Sequence, residues 1–238
     1  MPNIYATSDG GAQSSANTTG WASCRNEDGT AGTSTFSDDG GTVTYQSFAT
    51  RVGRFSGRGA PTWILKRAFF TFDTSGISEA PSSATLKIYG YQQLSGDVIA
   101  LKSDYSSGDG SEAFNDIVNG ATPLGNSDGN EAGTFATSSV VEYSSEVSTW
   151  STGAYNDITL NSDALSDMAS LDTFKVALMD YDYDYLDIEI PLNTQVGVGM
   201  YISRDVGTSR DPYIDYTAAT AVTYDANFFG TNFYWLNL

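Results

Sequence analysis

Two strand patterns separated by turn signals decide the fold of this chain: Arg67-Ala68-Phe69-Phe70-Thr71-Phe72-Asp73 and Ser83-Ala84-Thr85-Leu86-Lys87-Ile88-Tyr89. The second run places Ala84, Leu86 and Ile88 on one face and Thr85, Lys87 and Tyr89 on the other, which is the alternation of a strand that buries one face. The first run carries large apolar groups on both faces, so it predicts a strand with at least one buried face.

The rest of the chain extends this β pattern. Its 24 glycines, and the Ser, Thr, Asn and Asp residues between short apolar runs, favour many short strands joined by turns. The first 60 residues read as short strands and long loops, and residues 161–171 predict one short helix after a capping Asn161. Further strands are predicted at 98–102, 174–179, 186–191, 196–203 and 212–217. We therefore predict an all-β fold, a two-sheet β-sandwich or jelly roll with about ten strands, long loops and at most one or two short helices.

The same two runs resemble the DNRLRE-type modules, which are carbohydrate-binding-module-like jelly rolls. The shared pattern is an Arg, an aromatic run, Phe-Asp, a short turn, then Ser-Ala-Thr-Leu and an aromatic residue, here from Arg67 to Tyr89. The stretch Arg210-Asp211-Pro212-Tyr213-Ile214-Asp215-Tyr216-Thr217 is similar to the closing strand of that family, and Trp150 lies where the family often carries a Trp. The resemblance implies a jelly roll that serves as a non-catalytic part of secreted polysaccharide-active or surface proteins, and related sandwiches often hold a structural calcium.

Charge and composition exclude several classes of function. The formal net charge is −18 and the chain has no histidine, so nucleic acid would be repelled, and His-dependent triads and histidine zinc sites are excluded. Cys24 is the only cysteine and cannot form an internal disulfide. Paired carboxylates could in principle act as in glycosidases, but 29 acidic residues make that signal unspecific. We expect the chain to have no catalytic residues and to require no cofactor, and thus not to be an enzyme.

The run from Asp180 to Tyr185 alternates acidic and aromatic residues. In a strand it would place Asp180, Asp182 and Asp184 on one face, where three like charges repel unless water or a hard cation screens them. Calcium held by these three carboxylates is one hypothesis, and a solvated acidic rim is the other. The tyrosines of the run fit either a sugar-stacking platform or ordinary sandwich packing.

The end of the chain is rich in aromatic residues. We predict one sandwich domain over 1–217 and a tail over 218–238 that contains no charged residue after Asp225. Because such a terminus is an aggregation liability in water, it should dock on its own sandwich as an extra strand or insert into a neighbouring subunit. The predicted partner-binding residues are Phe228, Phe229, Phe233, Tyr234, Trp235 and Leu236.

These features lead to expectations about where the protein is found and what it does. The N-terminus lacks the pattern of an export signal and no run approaches the ~18 apolar residues of a membrane helix, so a chain that starts at a native Met1 stays in the cytoplasm where it is made. We predict a bacteriophage virion component that is assembled in the host cytoplasm. It would be a capsid decoration or cement protein, or a fibre or spike subunit, homo-oligomeric and bound to the major capsid protein or to neighbouring copies. The alternative is an extracellular carbohydrate-binding module that binds a surface glycan.

Overall fold

The computed structural model describes residues 2–16, 20–21, 24, 34–37, 47–57, 59–103, 141–202 and 209–219. Within these ranges every strand pairing is antiparallel, and the predicted all-β sandwich is confirmed. The strands are β1 (Asn3–Ala16), β2 (Ser34–Ser37), β3 (Ser47–Phe55), β4 (Thr62–Asp73), β5 (Ser83–Gln93), β6 (Val98–Lys102), β7 (Tyr155–Thr159), β8 (Thr173–Asp180), β9 (Thr194–Tyr201) and β10 (Tyr213–Thr217). Helix α1 is Ser162–Ser170, and a π-helical turn occupies Tyr181–Tyr185.

The strands form two sheets. Sheet A has the order β1-β10-β5-β7 and uses only residues 3–5 of β1 and 83–89 of β5. Sheet B contains the remaining pairings, with β3 between β9 and β4, and with β6 beyond β8. In sheet B, β4 pairs with β1 along most of its length, and on its other edge with β3 and then with β8.

Two strands pass from one sheet to the other at bulges. The register of β1 shifts between Ala6 and Ser8, and the register of β5 shifts between Gly90 and Gln92. Such irregularities bend a strand and let it change sheets at a corner. The β5 corner needs a glycine, because a Cβ on Gly90 would lie 2.0 Å from the carbonyl oxygen of Ser151. These corners hold sheet A over sheet B.

The main core lies between the two sheets. Sheet A contributes its inward apolar residues, and sheet B contributes aromatic and aliphatic side chains of β4 and β8. Tyr143, in the segment before β7, is fully buried and stacks on Phe174 with ring centroids 4.9 Å apart. The inward residues of sheet A include Ala84, Leu86, Ile88, Ile158 and Ile214, and those of sheet B include Ala68, Phe70, Phe72, Phe174, Val176 and Leu178. The alternation predicted for β5 is thus confirmed.

The outer face of sheet B is also covered. Phe69 and Thr71 of β4 are buried on that side, so β4 has two buried faces. Residues 181–190, which we call the covering segment, lie against part of this face. The segment begins with the π-helical turn, bonds to Arg67 through Asp184, and ends at Ile190, which is buried with Trp63 and Leu65 in a second apolar cluster. Two indoles anchor it, because Trp21 donates to Asp187 at 3.0 Å and Trp63 donates to Glu189 at 3.2 Å.

Several local predictions can now be compared with the structure. Helix α1 follows its predicted cap, with the Asn161 side chain accepting from two backbone N–H groups, but it ends at Ser170 and leaves Leu171 exposed. The strand predicted over 186–191 is wrong, since those residues belong to the covering segment or follow it. The prediction of only short strands in the first 60 residues is also wrong, because β1 is 14 residues long. No helix within the described ranges is long and apolar enough to cross a membrane.

Candidate ligand-binding surface

The outer face of sheet A is built by strand alternation. Every second side chain of its four strands faces the main core, where most of them are buried, so the intervening side chains point away from the core. Four of these outward positions are tyrosines, and most of the others are small hydroxyl or amide residues. The outward set is Asn3, Tyr5, Ser83, Thr85, Lys87, Tyr89, Tyr155, Asp157, Thr159, Tyr213, Asp215 and Thr217.

Six tyrosine rings form a continuous row on this side of the molecule, which we call the tyrosine strip. The strip starts at Tyr5 on β1, continues over β10, β7 and β5, and reaches β9 and the residue beyond the β5 corner. Consecutive ring centroids lie 5.1–5.7 Å apart, in the order Tyr5, Tyr213, Tyr155, Tyr89, Tyr201 and Tyr91. The strip therefore crosses the strands instead of following one of them.

The strip is open at both ends and fixed in its middle. Tyr5 is 42% exposed and Tyr91 is 54% exposed, whereas the four rings between them are half-buried. The Tyr89 hydroxyl donates to the carbonyl oxygen of Gly153 at 2.6 Å, and the Tyr155 hydroxyl lies 3.2 Å from two carbonyl oxygens near the start of β10. Arg210 stacks over the Tyr201 ring at 4.0 Å. These contacts hold the rings before any ligand arrives.

The phenol of Tyr155, in the middle of the strip, stays protonated at physiological pH. Burial, followed by the neighbouring phenols Tyr213 and Tyr5 and the Asp211 carboxylate, raises the pKa of Tyr155 to about 12. This residue thus presents a neutral ring and a hydroxyl group. A tyrosine has an apolar face and a polar tip, so a row of them suits a ligand with both apolar and hydroxylated surfaces.

The structure places the predicted acidic run in the covering segment and not in a strand. Asp184 is fully buried and both its oxygens accept hydrogen bonds from Arg67, each at 2.7 Å. Asp182 is exposed, and Asp180 ends β8 with its Oδ1 accepting from the backbone N–H of Tyr183 at 3.0 Å. The ring of Tyr181 stacks on that of Tyr185, so these tyrosines serve local packing.

The carboxylates of Asp180, Asp182 and Asp184 are not arranged as a calcium site. Arg67 already neutralises Asp184, and within the described ranges no group of three or more acidic, cysteine or histidine side chains is arranged to hold a metal ion. We therefore do not propose calcium at Asp180, Asp182 and Asp184.

Asp180 nevertheless has an unusual environment. It is 1% exposed, and in the part of the chain that the structure describes its Oδ2 has no hydrogen-bond partner. Burial is the largest cause that raises the pKa of Asp180 to about 7. The hydrogen bond from Tyr183 opposes this shift, and the carboxylates of Asp184, Asp182 and Asp97 reinforce it. A carboxyl group of this kind is either a stability determinant or a candidate acid.

A pair of carboxyl groups, Asp97 and Glu146, lies near Asp180. Burial and the charge of Asp97 raise the pKa of Glu146, and the two carboxyl groups are hydrogen-bonded to each other. Retaining glycosidases place their two carboxyl groups about 5 Å apart, and inverting ones place them farther apart. A directly hydrogen-bonded pair is too close for either arrangement, so the pair gives no reason to propose glycoside hydrolysis.

The remaining residues of interest are the predicted partner-binding residues, the tyrosines of the strip and Trp150. The predicted partner-binding residues Phe228, Phe229, Phe233, Tyr234, Trp235 and Leu236 lie outside the described residues. The tyrosine strip was missed, although Tyr89 is visible in the sequence on the outward face of a predicted strand. Trp150 is buried, and its indole N–H donates to the carbonyl oxygen of Gly199 on β9 at 3.2 Å.

Comparison with known proteins adds no relative. No protein-family model matches the chain, and no curated protein matches its sequence. The resemblance to DNRLRE-type modules therefore stays a prediction, and the fold and the tyrosine strip are the observations from which function can be inferred.

Proposed function

We propose that this chain is a non-catalytic glycan-binding β-sandwich and that the tyrosine strip is its binding surface. The observation that carries the proposal is the row of six contacting rings on the outside of the fold. The main core is already supplied by the opposite face of sheet A, so the outward rings are not needed to fill it.

The chemistry of the surface supports a sugar ligand. Sugar rings have apolar C–H faces that pack on aromatic rings, while their hydroxyl groups need hydrogen-bonding neighbours. The strip supplies the rings, and Asn3, Thr85 and Thr159 supply donors and acceptors on the same face. Such mixed surfaces of aromatic rings and a few polar groups are typical of ligand sites.

The two exposed ends of the strip allow a clean test. Tyr5→Ala and Tyr91→Ala remove rings that are 42% and 54% exposed, so the fold should tolerate both. Leu186→Ala and Ile188→Ala are matched controls, because those side chains are 41% and 51% exposed on the covering segment. The assay is native gel electrophoresis through a panel of soluble polysaccharides.

We expect at least one polysaccharide to retard the parent protein, and the double variant Tyr5→Ala/Tyr91→Ala to lose most of that retardation. Loss of two stacked rings at about 0.5–1.5 kcal/mol each predicts a drop in affinity of several-fold to about a hundredfold. The control double variant Leu186→Ala/Ile188→Ala should migrate like the parent. The proposal is wrong if no polysaccharide retards the parent, or if the controls weaken binding as much as the strip variants.

The assembly role predicted from the sequence stays a prediction. Attachment to a virion or to neighbouring copies was inferred from residues 228–236, which lie outside the described residues. Deleting 225–238 should leave a folded sandwich, measured by circular dichroism and thermal unfolding, but abolish association with particles. Loss of the fold would instead assign the tail to the core. Glycan binding by the strip is compatible with a virion surface and with an extracellular protein.

A further inference from the structure

We propose that the ligand of the tyrosine strip is an extended, uncharged polysaccharide chain bound along its length, not an acidic polysaccharide and not a chain end. This inference rests on the proposed function and adds the class of glycan. It depends on two features of the surface, which are the charge of the outward face of sheet A and the direction of the strip.

The outward face of sheet A offers no net positive charge to an acidic ligand. Its outward strand positions include one cation, Lys87, and two carboxylates, Asp157 and Asp215. The Lys87 Nζ lies 2.6 Å from Asp157, so the lysine is already paired and Asp215 leaves the face with a negative charge.

The charges around the strip also disfavour an acidic ligand. The Asp211 carboxylate is close enough to raise the pKa of Tyr155, and the whole chain carries a formal charge of −18. Among the residues that the structure describes, Arg210 is the cation that contacts a ring of the strip, and its guanidinium lies 4.0 Å over the ring of Tyr201. One stacked arginine at one end cannot match the repeated charges of a uronate or sulfated polymer, and like charges brought together cost several kcal/mol.

The shape of the strip favours a chain bound along its length. Five successive centroid distances of 5.1–5.7 Å separate Tyr5 from Tyr91 along the row. The contour of the row, which passes from β10 to β7 and back to β5, is therefore several sugar rings long. Both terminal rings, Tyr5 and Tyr91, are exposed, so a polymer can continue past either end of the row.

The experiment compares two polymers of matched length on the full chain. One is an uncharged glucan or mannan, and the other is a polyuronate of similar backbone. Binding is measured by isothermal titration at low salt and at about 0.5 M salt, where the screening length falls to a few ångströms. A series from monosaccharide to hexasaccharide of the neutral sugar is measured in parallel.

We expect the neutral polymer to bind at least about tenfold more tightly than the polyuronate at low salt. Its affinity should change little with salt and should rise steadily from monosaccharide to hexasaccharide. Tighter binding of the polyuronate that weakens with salt would overturn the charge argument, and equal binding of the monosaccharide and hexasaccharide would overturn the argument from length.

The strip variants separate this inference from the proposed function. If a polyuronate binds and Tyr5→Ala/Tyr91→Ala abolishes that binding, the strip is the site and only the inferred ligand class is wrong. If no glycan binds, or if the variants bind as the parent does, the proposed function fails and this inference fails with it.

Discussion

The buried carboxyl group of Asp180 makes the stability of the fold depend on pH. Its pKa is raised from an ordinary value of 3.8 to about 7, with burial as the main cause. Each pKa unit corresponds to about 1.4 kcal/mol, so ionising Asp180 in the folded protein costs about 4 kcal/mol. The folded state takes up the proton more readily than the unfolded state. Stability from this group is therefore fully present below about pH 4 and is lost as pH rises through about 7.

The change Asp180→Asn removes the charge and keeps Oδ1 as the acceptor for the Tyr183 N–H. We expect the variant to be more stable than the parent by between about 2 and 4 kcal/mol at pH 8, with the gain shrinking towards zero below about pH 4. The assay is urea unfolding of both proteins across that range, followed by fluorescence. Asp172→Asn is the control, because that side chain is exposed, is not among the carboxylates that raise the pKa of Asp180, and should alter stability by no more than about 0.5 kcal/mol. A parent protein that is as stable as the Asp180 variant at pH 8 would refute the reasoning.

Two further substitutions test the fold. Arg67→Met leaves the carboxylate of Asp184 buried without its main partner and should lower the free energy of unfolding in urea by about 3–5 kcal/mol. The double variant Arg67→Met/Asp184→Leu should recover most of that loss, and a single variant as stable as the parent would contradict the reasoning. Gly90→Ala places a Cβ 2.0 Å from a carbonyl oxygen at the corner of β5 and should cost more than about 2 kcal/mol, while Gly76→Ala, with no atom within 4 Å of the added carbon, should change stability little. Equal effects of the two glycine changes would show that the corner can relax.

The strands with strong periodic patterns were predictable from the sequence. The runs that became β4, β5, β6, β8 and β10 contain apolar residues at strand spacing, and the packing of their inward faces in one core enforces that pattern. Strand β1 was not predictable, because it contains few large apolar residues and two adjacent glycines. Gly11 permits its close approach to β3, since a Cβ there would lie 1.9 Å from the ring of Phe48.

The residues after β8 look like a strand but are not one. Leu186 and Ile188 alternate with Asp187 and Glu189, yet the two carboxylates bond inward to indole N–H groups and the aliphatic side chains are exposed. Asp187 also has a positive φ of 56°, which no regular strand contains. Because the acidic groups bond to tryptophans far away in the sequence, the polar residues of this alternating pattern face the protein and the apolar residues face the solvent.

The candidate surface was harder to predict than the fold. Its six tyrosines come from five strands. Four of them meet through the pairing of β1, β10, β5 and β7 in sheet A, and Tyr201 joins them where β5 passes into sheet B beside β9. The sequence pattern shows which way a side chain points within its own strand, but it does not show which strands become neighbours. By contrast, Tyr181 and Tyr185, which are only four residues apart in the sequence, stack on each other and serve local packing.

The most direct test of the central claim is to observe the tyrosine rings while a neutral oligosaccharide is added. The chain has 15 tyrosines, and NMR of protein with ring-labelled tyrosine gives a signal for each one. The account predicts that the six rings of the strip shift on addition of a neutral hexasaccharide, while Tyr143 in the core and Tyr185 in the covering segment do not. Shifts confined to Tyr143, Tyr185 or other rings outside the strip, or no shifts with any neutral sugar, would contradict it.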